Sequence, residues 1–280
     1  MALDGQFSAA HEVLSRYAEA SEELPIDRVV AFYGPIPQSF RILCLDTWTE
    51  IHNHFRAFLA EMDFHLACAE ICTDADPHYW DRKLDLGAED SRTQLNHCPG
   101  VYIENLNTVI VSRFYLPHSI DQRKVGRPYA DTAEQNYWLE VPVAFARKAI
   151  RHDTGHAINR LMKSVWGIWA SETPEFQYAY EADIAALGGR EAARAKGYYY
   201  VRHHDDHRGR DETFAELWQC SFDQESYGLM PRLWPSTFAY VEEFNSQFQL
   251  AWEDYEEAKC ARPQDSNRFM PAVWLAAKNQ

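Results

Sequence analysis

The chain has no stretch of about 18 consecutive apolar residues, the length needed to cross a bilayer, and its most hydrophobic segments are broken by charge. A helical membrane span is not expected. The N-terminal MALDGQFSAAHEVLSRYAEASEELP lacks an apolar core preceded by Lys or Arg, so neither a signal peptide nor a transit peptide is read there. The expected location is the cytoplasm, or outside the cell after export without a cleavable leader. Basic charge is in short supply: 27 Lys and Arg face 42 Asp and Glu, a net charge of -15. That balance repels phosphate backbones and anionic lipid, so neither nucleic acid nor a membrane surface is an expected partner. Six cysteines in 280 residues, without secretory signals, read as buried thiols rather than a disulfide framework. Cys68 and Cys72 have the spacing of a metal half-site, but no second Cys/His pair at matching spacing follows.

What is present is apolar and aromatic. Hydrophobic residues make up 46% of the chain, with 9 Trp, 15 Tyr and 15 Phe, enough to offset the entropy of ordering over most of its length. The expectation is one catalytic domain of two lobes. Residues 1–140 form a mixed α/β lobe with an edge hairpin near 100–115, and 141–280 form a mainly helical, metal-binding lobe. A surface helix is predicted over 6–23, short strands over Val29–Phe32 and Arg41–Leu45, and a helix capped by Asp46 or Thr47 and running to Ala60. Asp74 to Cys98 reads as a long loop. VYIENLNTVIVSRFY reads as a hairpin turning at Glu104–Asn107. From Pro142 a long helix is predicted, followed by a helix N-capped by Asp211 and a third over Thr237–Glu257, with a loose tail after Arg262.

Within the long helix, His152 and His156 stand four residues apart, which puts both imidazoles on one face where they can grip one cation. The residues between and beside them read H-D-T-G-H, one methylene short of H-E-x-x-H, in which Glu is the general base of a zinc site. Two histidines alone also fit a pair of ordinary helix histidines. Ala149, Gly155 and Asn159 are small or polar, as they must be for a second element to approach closely. Glu212 opens the next helix, with Glu216 four residues on, so one carboxylate can ligate and the other can orient a histidine. His52 and His54 are expected on opposite sides of a helix and read as incidental. His203, His204, Asp205, Asp206 and His207 read as a charged surface loop, with a second metal site as the alternative.

Taken together, H-D-T-G-H-A-I-N, Pro174-Glu175-Phe176 with Tyr180, Tyr198 to Tyr200, and E-T-F-A-E-L-W resemble the catalytic domain of the anthrax lethal factor family. Its pattern is H-E-x-G-H-A, an aromatic and acidic stretch, a Tyr, and E-F-F-A-E-A-F. The resemblance extends over residues 100–250, where P-G-V-Y-I-E-N-L-N-T-V-I-V is similar to the hairpin over the family's cleft and P-S-T-F-A-Y-V-E-E-F to its closing helix. It implies an α+β, zincin-like metalloprotease fold with the metal in the cleft between the lobes, His152, His156 and Glu212 as zinc ligands, Glu216 behind them, and Asp153 as general base. Tyr200 or a neighbour takes the place of the family's active-site Tyr; the alternative for Tyr198 to Tyr200 is a core strand.

The Asp153 carboxylate has a shorter arm than Glu, and a general base must come within about 2.6–3.2 Å of the proton it takes. Three outcomes follow: a peptidase adapted to Asp, a site with other metal chemistry, or a catalytically weakened metal-binding effector. Two histidines and a carboxylate also serve non-haem Fe2+ enzymes, so iron or another divalent transition metal is the alternative to Zn2+. The expected partner is a peptide or protein substrate, or a small molecule if the site is not a peptidase.

Overall fold

The run His65–Ala69 is buried from Leu66 onward, on both faces, as suits a central strand covered on both sides. It forms β2 in a four-stranded sheet of order β1-β2-β4-β3, in which β1 (Val30–Tyr33) and β4 (Thr108–Ser112) flank it in parallel and β3 (Gly100–Ile103) pairs antiparallel with β4. The β3–β4 hairpin expected from the sequence is present, with Ile103 opposite Thr108. Asn107 ends its turn in the left-handed region at φ 47°, a conformation Asn tolerates, and its side-chain oxygen accepts from the Tyr102 hydroxyl at 3.0 Å. Val101 and Ile103 point into a cluster with Ala67, Cys72, Leu95 and Ile110. A two-stranded ribbon joins β5 (Phe114–Tyr115) to β6 (Leu139–Glu140).

The computed structural model describes residues 29–75, 95–120, 137–197, 200–201, 206–222 and 229–261. Contacts divide the chain into two compact units, Met1–Thr49 with Asp63–Ile150, and Glu50–Met62 with Arg151–Gln280. The fold is mixed α+β and rich in helix. No helix among the described residues is long and apolar enough to cross a membrane.

Several expectations need correction. Arg41–Leu45 is not a strand but part of helix α1 (Gln38–Glu50), because Phe40, Cys44, Thr47 and Trp48 are buried at helical spacing. The helix expected from Asp46 to Ala60 is two: α1 ends at Glu50 and α2 runs over Asn53–Glu61. Thr47 caps nothing; its hydroxyl bonds back to the Leu43 carbonyl at 2.7 Å inside α1. His52 precedes α2 and His54 lies in its first turn, so the two are not on opposite sides, and their rings meet edge to face at 5.5 Å. The helix expected over 6–23 and the tail after Arg262 fall outside the described residues, as does most of the 74–98 segment. Its ends there are helical turns, α3 (Cys72–Ala75) and a 3-10 turn at Leu95–His97. Cys44, Cys68, Cys72, Cys98 and Cys220 form no disulfide.

The second unit is helical. Helix α4 (Val143–Trp166) enters it at Arg151 and ends before Gly167, whose φ of 77° suits a residue without a side chain. A 3-10 turn at Ala170–Glu172 leads into α5 (Pro174–Ala186), where Pro174 takes the first turn and the Thr173 side chain accepts from the Phe176 N–H. Short α6 (Arg190–Lys196) precedes α7 (Asp206–Cys220), α8 (Leu229–Leu233) and α9 (Pro235–Ala261). Buried Asp183 ties the start of α9, accepting from the Ser236 and Thr237 N–H groups at 3.1 and 2.8 Å and from the Thr237 hydroxyl at 2.7 Å. Phe55 and Phe58 of α2 pack on Phe248 of α9 with ring centroids 4.6 and 5.2 Å apart. Helix α7 starts five residues before the expected Asp211, so Asp211 is an interior residue and not an N-cap.

Candidate metal centre

Every charged side chain of the candidate centre comes from α4 and α7 of the helical unit. The two helices touch where α4 carries Gly155. A Cβ built there would lie 2.9 Å from the Ala215 Cα, closer than Cβ atoms come to their neighbours, and 3.0 Å from its carbonyl oxygen. Gly155→Ala is therefore expected to separate the helices at the site, lowering stability by about 1–3 kcal/mol as overpacking does. Chemical denaturation and metal content check this together; an unchanged midpoint would mean the contact is looser than described.

On that contact face, His152 Nε2 and His156 Nε2 are 3.1 Å apart. Glu212 Oε2 of α7 lies 3.3 Å from the first and 3.6 Å from the second. Three donor atoms thus form a near-equilateral triangle. Zinc bonds of about 2.0–2.1 Å in a tetrahedral arrangement demand edges of about 3.3–3.4 Å, so two imidazole nitrogens and one carboxylate oxygen fit the cation in spacing and in kind. The outer ring nitrogens face carboxylates as well. His156 Nδ1 is 2.9 Å from Asp211 Oδ1, and His152 Nδ1 is 3.2 Å from Glu216 Oε2, the latter off the line of a good hydrogen bond.

Asp153 is buried beside the histidines, and one ligand atom from each of His152, Asp153 and His156 lies within 4.8 Å of the others. Burial raises its carboxyl to about 6, although both neighbouring imidazoles pull it down. Tyr200 lies at the carboxylate end of the centre: burial, followed by the charges of Glu216 and Glu212, pushes its hydroxyl well above the ordinary phenol range. Tyr198 and Tyr199 fall outside the described residues. So do His203, His204 and Asp205, while His207 pairs with Glu172 at 2.8 Å instead of turning to the histidine pair.

Burial alone lowers the imidazoles, but Glu212 and Glu216 outweigh it and raise His152 to about 9; Asp211 and Glu212 raise His156 to about 10. Burial likewise raises the Asp211 and Glu212 carboxyls, and the histidines, with Arg160 for Asp211, overcome it and hold both well below the usual carboxylate range. The metal-free centre therefore holds protons to higher pH than free imidazole would. Both histidines titrate higher folded than the ordinary 6.5, so their stabilisation is complete below about 6.5 and is lost as pH rises through about 9 to 10. The metal-free protein is expected to melt at lower temperature at pH 10 than at pH 7. A cation held by both Nε2 atoms would displace these protons, so this loss would disappear and affinity would climb with pH over the same interval. Thermal melts of metal-free and zinc-loaded protein at both pH values check the sign. The Asp153 carboxyl titrates below this window.

Asp211 was not foreseen as the partner of His156, nor Arg160 as its counter-charge. The available signal was the spacing His156, Asn159, Arg160 on one helix face, opposite an acid adjoining Glu212.

No protein-family model and no curated protein matches the chain. Among solved structures, the chain is similar to the PRO-PRO endopeptidase PPEP-2 from Paenibacillus alvei, at 17% identity and a TM-score of 0.48, over 78% of this chain and 98% of that one.

Proposed function

We propose that the protein is a zinc-dependent peptidase of the zincin type, with His152, His156 and Glu212 as the ligands. The triangle of donor atoms at 3.1, 3.3 and 3.6 Å carries this reading. Two histidines and a carboxylate also serve iron, and it is the resemblance to a zinc family that favours zinc here. The resemblance of H-D-T-G-H and E-T-F-A-E to the anthrax lethal factor pattern supports the same ligands and an extended peptide as substrate.

Bound there, the cation would act as a Lewis acid on a carbonyl oxygen and make water more acidic. The chain supplies the rest. Asp211 keeps the His156 ring turned with Nε2 toward Glu212, and Glu216 faces the outer nitrogen of His152. Asp153, raised to about 6, is a base near neutrality that takes the proton of the attacking water at a carboxylate oxygen and returns it to the departing amine. The Tyr200 hydroxyl, protonated throughout the working range, donates to the oxyanion that develops on the scissile carbonyl.

Elemental analysis of protein purified without an affinity-column metal, combined with cleavage of a diverse peptide library, tests this reading. About one zinc per chain is expected, with hydrolysis that chelation removes and zinc restores. No metal after zinc or iron is supplied would end the metal reading. One metal with no cleavage of any peptide would end the peptidase reading.

A further inference from the structure

The donors that converge on Asp211 belong to one short stretch of α4. His156 Nδ1 and Asn159 Nδ2 meet Asp211 Oδ1 at 2.9 and 2.7 Å, and Arg160 Nη2 donates to Oδ2 at 2.8 Å. They stand at i, i+3 and i+4, one face over a single turn. The carboxylate they share is buried, so protein donors replace the water that would otherwise hold it.

The two supporting residues are themselves held. The Asn159 side-chain oxygen Oδ1 accepts from the Ser171 N–H at 2.7 Å, which forces Nδ2 toward Asp211 and the Ser171 hydroxyl, 2.9 Å away. The Arg160 guanidinium lies over the Trp169 ring, 5.0 Å from its centroid, and Trp169 stacks on His207 at 4.0 Å. Glu172, next along the same 3-10 turn, takes both Nε and Nη2 of Arg210 at 3.0 and 2.8 Å. The segment 169–172 is therefore fastened to α4 on one side and to the first half of α7 on the other.

We propose that Arg160 and Asn159 are positioning residues of the metal centre: they hold the Asp211 carboxylate at one place and angle, and it in turn keeps the His156 ring aimed at the cation. The proposal rests on the metal reading above. Loss of the Arg160 contact frees one oxygen, so the carboxylate can rotate and the imidazole can turn with it. Outer partners of ligating histidines carry about 10- to 100-fold in metal affinity.

The test is zinc affinity of the full chain, measured by competition with a chromophoric chelator at a temperature where circular dichroism shows each protein folded. Arg160→Met keeps an alkyl stem over Trp169 and removes the charge; it is expected to bind zinc about 10- to 100-fold more weakly. Arg160→Lys, which places a cation near Oδ2 without the planar fork, is expected to recover most of that loss. A folded Arg160→Met with wild-type affinity within about twofold overturns the proposal, because a merely structural contact would change melting and leave affinity alone. If Arg160→Met does not fold, Asp211→Asn replaces it under the same thresholds, since it keeps an acceptor for His156 but loses the charge that Arg160 answers. A wild type that binds no zinc sinks the metal reading and this proposal with it; a wild type that binds zinc beside unaltered variants sinks this proposal alone.

Discussion

Asp153→Ala is expected to lower hydrolysis of an unfolded protein substrate by about 10²- to 10⁴-fold while leaving about one zinc per chain. The side chain adjoins the histidines without belonging to the 3.1, 3.3 and 3.6 Å triangle, so its removal takes away a base and leaves the grip intact. Asp153→Glu is the sharper companion. The added methylene extends the carboxylate toward the position used in H-E-x-x-H sites, so turnover is expected to hold or rise. If the centre performs other chemistry, the longer arm intrudes on the open coordination position and activity falls. A fall for Asp153→Glu with metal retained would therefore count against a general-base role, as would full activity in Asp153→Ala.

His156→Ala should abolish stable metal binding. The residue supplies one of three donors, and its loss exceeds the change of an outer partner, itself about 10- to 100-fold. With ligands drawn from α4 and α7, zinc would stabilise the folded chain by an amount that grows with the logarithm of its concentration over the dissociation constant. Chelation should accordingly lower the melting temperature of wild type and leave that of His156→Ala unmoved. Equal melting curves for wild type before and after verified chelation would mean that the cation adds nothing to the fold.

How much of this was legible in the sequence depends on range. The centre's inner residues could be read because their spacing is local: His152 and His156 are four apart, as are Glu212 and Glu216, and a helix turns each pair onto one face. The β3–β4 hairpin was equally local, an alternating strand and a continuously buried one on either side of an Asn-rich turn. Asp211 was misjudged because an acid ahead of an apolar run satisfies the rule for a helix start, whereas α7 had already begun at Asp206. Its partners are donors 51 to 55 residues earlier, which no local window contains. Strand β2 is not legible in H-L-A-C-A, which is buried on both faces and shows no alternation. R-I-L-C-L was misassigned because five apolar-rich residues fit either period until Phe40 and Trp48 are counted with them.

The order of the segments also bears on synthesis of the chain. Helix α2 belongs to the helical unit, yet residues 63–150 separate it from the rest of that unit. Phe55 and Phe58 must wait for Phe248, which leaves a ribosome working at about 5–20 residues per second roughly 10–40 s later. During that interval the α2 aromatics have no native partner from α9, and a nascent chain stalled before α9 should be a target for chaperones and proteases. For the same reason a fragment beginning at residue 151 lacks α2, and expression of the helical region alone should yield an aggregation-prone product even though it contains every residue of the candidate centre.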